Sequence, residues 1–342
     1  MTAVYLTIDT EYAAHLPGAN GTPGTRAENF DRSIACVTPS GSVGIFHQMD
    51  VLDRHGLKAV FFVDPMPALL WGVDAIADIV GPIVARGHDV QLHCHTEWLD
   101  HAEGTPLDGL GRRRNLKDFS LDDQRMILAF ARDTLVAAGA PSPVAFRAGN
   151  YGANDDTLVA LAGLGIAYDT SHCPALAGRG DCAISLGPED LCPLEHRGVT
   201  EVPTACLESF RGRLRHGQLT ALSLQELIAA VLHARDAGLA SLTLVSHSFE
   251  LLSRDRRRIN RVVARRFDRL CAALASMPGV STATYADAPP TAESLPGAGA
   301  RLPHDLLRGG MRVLEQAISN ALYSRGMRSG AQVLALGTTL LT

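Results

Sequence analysis

The chain has no CxxC pair. Its seven cysteines, Cys36, Cys94, Cys173, Cys182, Cys192, Cys206 and Cys271, are an odd number spread over 342 residues. That pattern argues against a disulfide framework and against a structural zinc site, and leaves free thiols as the simpler state. Basic residues are not in excess: 31 Lys and Arg against 36 Asp and Glu give a net charge of −5, which weighs against a general nucleic-acid binder. No run of about 18 apolar residues occurs, so no integral membrane segment is expected. A cationic start followed by a cleavable apolar stretch is also lacking, and the expectation is a cytoplasmic, reducing location.

What is present is an alternation. Apolar strand-like runs at 3–8, 58–63, 89–92, 143–146, 166–168, 241–245 and 280–284 are separated by helical patterns at 43–55, 73–85, 120–138, 154–164, 224–237 and 255–275. Strands alternating with helices of about 10–15 residues predict βα units and a parallel sheet or barrel. Residues 18–24, rich in Gly and Pro, read as a loop beside the first cluster. Residues 1–285 form one catalytic barrel in this reading. Residues 286–303 are an Ala, Pro and Gly-rich linker, and 304–342 a helical tail. Within that tail Leu307, Met311, Leu314, Ile318 and Ala321 repeat at alternating spacings of four and three. This is an apolar stripe, and docking on the chain's own domain is its plainer use; self-association or partner docking through 304–324 is the other.

The polar clusters all follow strands. Thr7-Ile8-Asp9-Thr10-Glu11 ends the first, and period-2 geometry puts both acids on one face. Two adjacent anions repel, so a metal ion or an arginine should compensate them. His93, His95, Glu97 and His101 place four ligand-type side chains within nine residues. A first-row divalent ion suits imidazole with carboxylate. His93 pairs with Glu97 if the segment turns and with His95 if it stays extended. His88, before its strand, is expected to pack or cap. Arg147 precedes a tight turn through Gly149 to Tyr151 and would hold Asp9 ionised. His247 closes the strand at 241–245, where its titration suits proton donation. For each residue alone the plain reading is a surface acid, a core histidine or a solvated arginine. Four clusters in this order point instead to a metal-dependent hydrolase.

These residues resemble the polysaccharide deacetylases, the NodB-homology or family-4 carbohydrate esterase group. The likeness runs over roughly residues 3–285 and includes Gly56-Leu57-Lys58-Ala59-Val60-Phe61-Phe62-Val63, Gly87-His88-Asp89 through His93, Arg147 through Tyr151, and Leu244 through His247. It implies a distorted (β/α)7 barrel of the NodB-homology type. It implies that Asp9 is the base, Glu11 a metal ligand, Arg147 the holder of Asp9, and His247 the acid. The chain departs from the family where Glu97 stands in place of a second histidine, so Glu11 and His93 are completed by Glu97 or by His95. It departs again at Asp169-Thr170-Ser171-His172, which leaves the partner of His247 open. The His-x-His-x-Glu-Trp form resembles a divergent branch.

The resulting expectation is a deacetylase that removes N-acetyl groups from an amino sugar or polysaccharide precursor. It uses metal-bound water, an Asp base and a His acid, with a backbone N–H near Tyr151 helping the oxyanion. Zinc is the first choice of ion, with cobalt, nickel or iron as substitutes. A C–N hydrolase of a non-carbohydrate amide on the same barrel and a non-catalytic sugar-binding barrel are the alternatives. A facial-triad iron site at His95 and Glu97 conflicts with the α/β alternation.

Overall fold

The computed structural model describes residues 1–16, 24–292 and 301–323. The first apolar run forms strand β1 (Thr2–Thr10), and its two faces separate at once. Val4, Leu6 and Ile8 join the main hydrophobic core, while Tyr5 turns into a second, smaller cluster with Val60, Phe62, Ala145 and Tyr285. Thr7, Asp9 and Glu11 continue the face of Tyr5 by simple alternation.

The other strands of its sheet are β2 (Val60–Val63), β3 (Asp89–Cys94), β4 (Ala145–Ala148), β5 (Tyr168–Asp169), β6 (Leu194–His196), β7 (Val199–Glu201), β8 (Ser241–His247) and β9 (Val280–Thr282). Their order in the sheet is β8-β1-β2-β3-β4-β5-β7-β6, with β9 also pairing β1. The first seven in that order run parallel, and β6 is antiparallel to β7. This is a parallel sheet curled into a half-barrel: the parallel βα arrangement is what the alternation predicts, and the distorted (β/α) barrel is what the family resemblance implies.

Helices α1 (Ile45–Arg54), α2 (Asp74–Ala85), α3 (Leu121–Ala137), α4 (Asp155–Gly163), α5 (Leu224–Asp236) and α6 (Arg261–Ser276) connect the strands. Local chemistry starts them. Ser120 accepts from the Asp123 N–H at 3.2 Å, and Ser223 and Glu226 form a reciprocal capping box. Helix α6 corrects the sequence reading, which began it at 255. Asn260 caps the helix by accepting from the Val263 N–H, and Ser253 ties residues 253–258 into a turn by bonding Arg258. All seven cysteines are buried and carry no disulfide.

A last helix, α7 (Leu306–Tyr323), packs beside α5 and α6. Its orientation is the second correction. The apolar stripe does not dock on the barrel among the described residues; the polar side does. Glu226, buried as the cap of α5, needs a cation, and Arg312 supplies it at 3.1 Å. Arg266 binds Glu315 at 2.6 Å in the same seam. Residues 293–300 of the expected linker, 324–342 of the expected tail and 18–23 of the Gly and Pro-rich loop lie outside the described residues. No described helix is long and apolar enough to cross a membrane.

Candidate active site

Strand register assembles the site. β1 and β8 pair so that Asp9 stands beside His247, and β3 and β4 pair so that His93 stands beside Arg147. The strands are parallel, so these side chains gather at one end of the sheet. A slip of one residue on any strand would turn its contribution outward.

Asp9 is buried between two cations. Arg147 lies inside β4, fully buried, with Nη1 2.7 Å from Asp9 Oδ1 and 2.8 Å from Thr7 Oγ1. Its guanidinium also lies over the Phe62 ring, 4.5 Å from the centroid. Burial works against that charge, and Asp9 outweighs it. The other oxygen, Asp9 Oδ2, is 3.7 Å from His247 Nε2. His247 Nδ1 donates to Glu250 Oε1 at 3.0 Å. Burial alone would lower the pKa of His247, yet the hydrogen bond and charge of Glu250, helped by Asp9, raise it to about 9.

One turn away Glu11, His93 and His95 converge, with one ligand atom from each within 4.8 Å of the others. Glu11 Oε2 is 3.3 Å from His93 Nε2 and 2.5 Å from His95 Nε2. The backs of both rings are engaged. His93 Nδ1 meets the Arg147 carbonyl at 2.6 Å, and His95 Nδ1 meets Glu97 Oε2 at 3.1 Å. A carbonyl and a carboxylate can only accept, so each Nδ1 carries a proton; each Nε2 points at the Glu11 carboxylate and would turn a lone pair to an ion held between them. Glu11 Oε2 is buried and receives no well-directed hydrogen bond. Two imidazole nitrogens and one carboxylate so arranged call for a cation, and this donor set fits zinc or a neighbouring divalent metal. The histidines show the same demand. Burial pushes Glu11 up, but His95 and His93 outweigh it and hold it well below the usual range; burial pushes His95 down, but Glu11 and Glu97 raise it well above.

The remaining candidates separate. Glu97 stands behind His95, because residues Thr96–His101 turn into a 3-10 helix and carry its carboxylate to Nδ1. His101 is exposed beside Trp98 and does not join. His88 packs against Phe61 and meets the Ala59 N–H, as expected. Asn150 and Tyr151 both adopt left-handed backbone angles, φ 57° and 56°, in the turn after β4. The Tyr151 hydroxyl is buried and has no hydrogen-bond partner among the described residues. Gly149 makes this turn fit: a Cβ there would lie 2.7 Å from His95 Nδ1.

Three residues escaped the sequence reading. Glu250 holds His247, and Gln218 and Thr220 in turn bond Glu250. Its one signal was an acid three residues past the histidine. Asp64 follows β2 directly, is buried, and accepts from the His95 and Met66 N–H groups; burial raises it to about 7 despite the nearby histidines. Glu201 lies against Asp169, and burial with that neighbour pushes it well above the usual range. Asp169 itself binds Ser171, which accepts from the Ala148 N–H at 2.9 Å, so it braces the turn after Arg147 and does not reach His247.

No family model and no curated protein matches this sequence. Solved structures do. A provisionally named polysaccharide deacetylase from Mycobacterium smegmatis aligns with a TM-score of 0.52 at 19% identity, over 86% of this chain and 94% of that one. A 4-alpha-glucanotransferase from Thermococcus litoralis aligns with a TM-score of 0.51 at 13% identity, over 96% of this chain and 48% of its own. The chain thus spans about half the length of that enzyme. A family 4 carbohydrate esterase from Streptomyces lividans, in complex with acetate, aligns with a TM-score of 0.41 at 11% identity, over 86% of this chain and 98% of that one. The fold of this chain is therefore the distorted (β/α) barrel it shares with the Mycobacterium smegmatis protein.

Proposed function

We propose that this chain is a metal-dependent hydrolase that removes the N-acetyl group of an amino sugar or of a precursor carrying one. The observation that carries the reading is Asp9, flanked by Arg147 at 2.7 Å and His247 at 3.7 Å, at the same strand end as the converging atoms of Glu11, His93 and His95. Those three would hold the ion, with Glu97 orienting His95. When bound, the ion supplies Lewis acidity to a carbonyl oxygen and to water.

The chain's own residues do the rest. Arg147 occupies Asp9 Oδ1, so Oδ2 is the oxygen that takes a proton from the attacking water. Glu250 fixes His247 Nδ1, so the Nε2 proton is the one delivered to the leaving nitrogen. A backbone N–H of the Tyr151 turn faces charge growing on the acyl oxygen. Water adds to the carbonyl carbon, the C–N bond breaks, and acetate and a free amine leave. The acyl chemistry rests on the site, and the sugar half on the likeness to the Mycobacterium smegmatis protein. Zinc is the ion of choice for this donor set. A cytoplasmic location belongs to this reading, supported by buried cysteines without disulfides.

The test is metal content by elemental analysis of wild type and His93→Ala, followed by acetate release from N-acetylated sugars. About one ion per chain, lost in the variant, is expected. Acetate released from a simple acetamide but from no sugar would move the substrate to a non-carbohydrate amide. A wild type that binds no ion after reconstitution would leave a sugar-binding barrel without catalysis.

A further inference from the structure

Helix α7 is turned inside out. Toward the barrel it presents Arg312, Glu315 and Ser319, which bond Glu226, Arg266 and Asn260 at 3.1, 2.6 and 3.0 Å. Away from the barrel it presents Leu307, Met311, Leu314, Ile318 and Leu322, from 44% to 82% exposed. Of the fifteen large hydrophobic side chains exposed among the described residues, seven lie on this one helix. Phe210, 58% exposed, extends the patch, its ring 6.1 Å from that of His304. Scattered exposed leucines need no explanation, but a contiguous row along a whole helix does.

The border of the patch is cationic in a chain whose net charge is −5. Arg211 and Arg213 are exposed beside Phe210. Arg257, Arg261 and Arg265 are exposed on the turn and helix whose Asn260 and Arg266 hold α7. Arg258 reaches the Tyr323 ring at the end of α7. Two acids of this region are neutralised and two are hydrogen-bonded. Glu315 and Glu226 face Arg266 and Arg312, Asp255 accepts from Ser253 and the Arg257 N–H, and Asp305 accepts from the Arg308 N–H.

We propose that α7 lies flat on an anionic lipid bilayer, its Leu and Met face in the acyl boundary and the bordering arginines on headgroup phosphates. An apolar helix face with a cationic border is the chemistry of an interfacial helix. At 18 residues α7 is about 27 Å long, and it is not apolar enough to cross. A second copy apposed on the same face would bring two arginine borders together, with Glu315 and Glu226 already paired to Arg266 and Arg312. A lipid surface answers both the stripe and its border. Gln316 of the same helix bonds the Ala221 carbonyl, three residues past Gln218, whose side chain bonds Glu250.

The test is co-sedimentation of the full chain with vesicles of phosphatidylcholine alone and of phosphatidylcholine mixed with phosphatidylglycerol. Binding is expected to the mixed vesicles and to weaken in high salt. Leu314→Glu with Ile318→Glu should abolish it. Each of Arg261→Ser and Arg265→Ser should weaken it roughly fivefold. These positions are exposed, and circular dichroism and metal content matching wild type would show that the variants fold. Wild type left in the supernatant with mixed vesicles, or the double Glu variant sedimenting like wild type, overturns the proposal. So does a wild-type dimer in light scattering that the double Glu variant converts to monomer without any vesicle binding. Acetate release in buffer should be the same in all of them, so the outcome stands apart from the proposed reaction.

Discussion

The mouth of the barrel and helix α7 bury opposite halves of an amphipathic pattern. In β1 the apolar residues Val4, Leu6 and Ile8 go under the helices, and the polar face of Thr7 and Asp9 is buried as well, each group answered by a partner. In α7 the polar residues are buried and the apolar ones face out. A stripe of like residues therefore fixes which side chains share a face and not which way that face looks. The direction is set by whatever the neighbouring element lacks. Arg147 needs an anion and finds Asp9; Glu226 needs a cation and finds Arg312.

That contrast can be broken by experiment, beginning at the mouth. Chelation of the metal is expected to abolish acetate release, with recovery on adding zinc to wild type but not to His93→Ala. Recovery in the variant would remove His93 from the ligand set. Asp9→Asn should lower kcat by about 10³-fold while metal content stays at the wild-type level. Turnover near wild type would take the base role from Asp9. Arg147→Met leaves the Asp9 carboxylate buried without its cation and should cost about 3–5 kcal/mol in urea unfolding. A loss below 1 kcal/mol would mean that water replaces the guanidinium.

The acid half is a matter of pH. His247 has its pKa raised to about 9 from 6.5, chiefly through Glu250, so its proton persists across neutral pH. In metal-free protein its contribution to stability is full below pH 6.5 and is lost as the pH rises through about 9. Glu250→Gln should draw the alkaline limb of the rate profile down toward 6.5, with KM little changed. An unmoved limb would leave Glu250 a structural residue. The smallest effect is expected on α7, where Leu314→Glu should leave kcat in buffer unchanged. A clear loss there would tie the helix to the reaction itself.

Much of this site is legible in the sequence because period-2 alternation is rigid. Asp9, His93, Arg147 and His247 each end or nearly end a buried strand, and parallel pairing must then bring them together. What was not legible depends on turns. Whether Glu97 joins Glu11 and His93 or stands behind His95 hangs on one 3-10 turn after Cys94. Glu250 lies in the turn after β8, where an acid three residues past a histidine looks like any surface carboxylate. Asp64 reads as a strand end before Pro65, and only the fold shows its carboxyl under His95. The start of α6 was missed because Asp255 and Asn260 are both plausible caps, and tertiary contacts with α7 favour Asn260.

The seven buried cysteines have a practical consequence. None is on the surface, so a thiol reagent should be nearly silent on the native chain and should label it as the barrel opens. Cys94 sits on the strand of His93, and Cys271 on the helix that holds α7. The order in which these two become labelled in mild denaturant would reveal whether the strands that carry the candidate site and the helical flank open as one cooperative unit or as two.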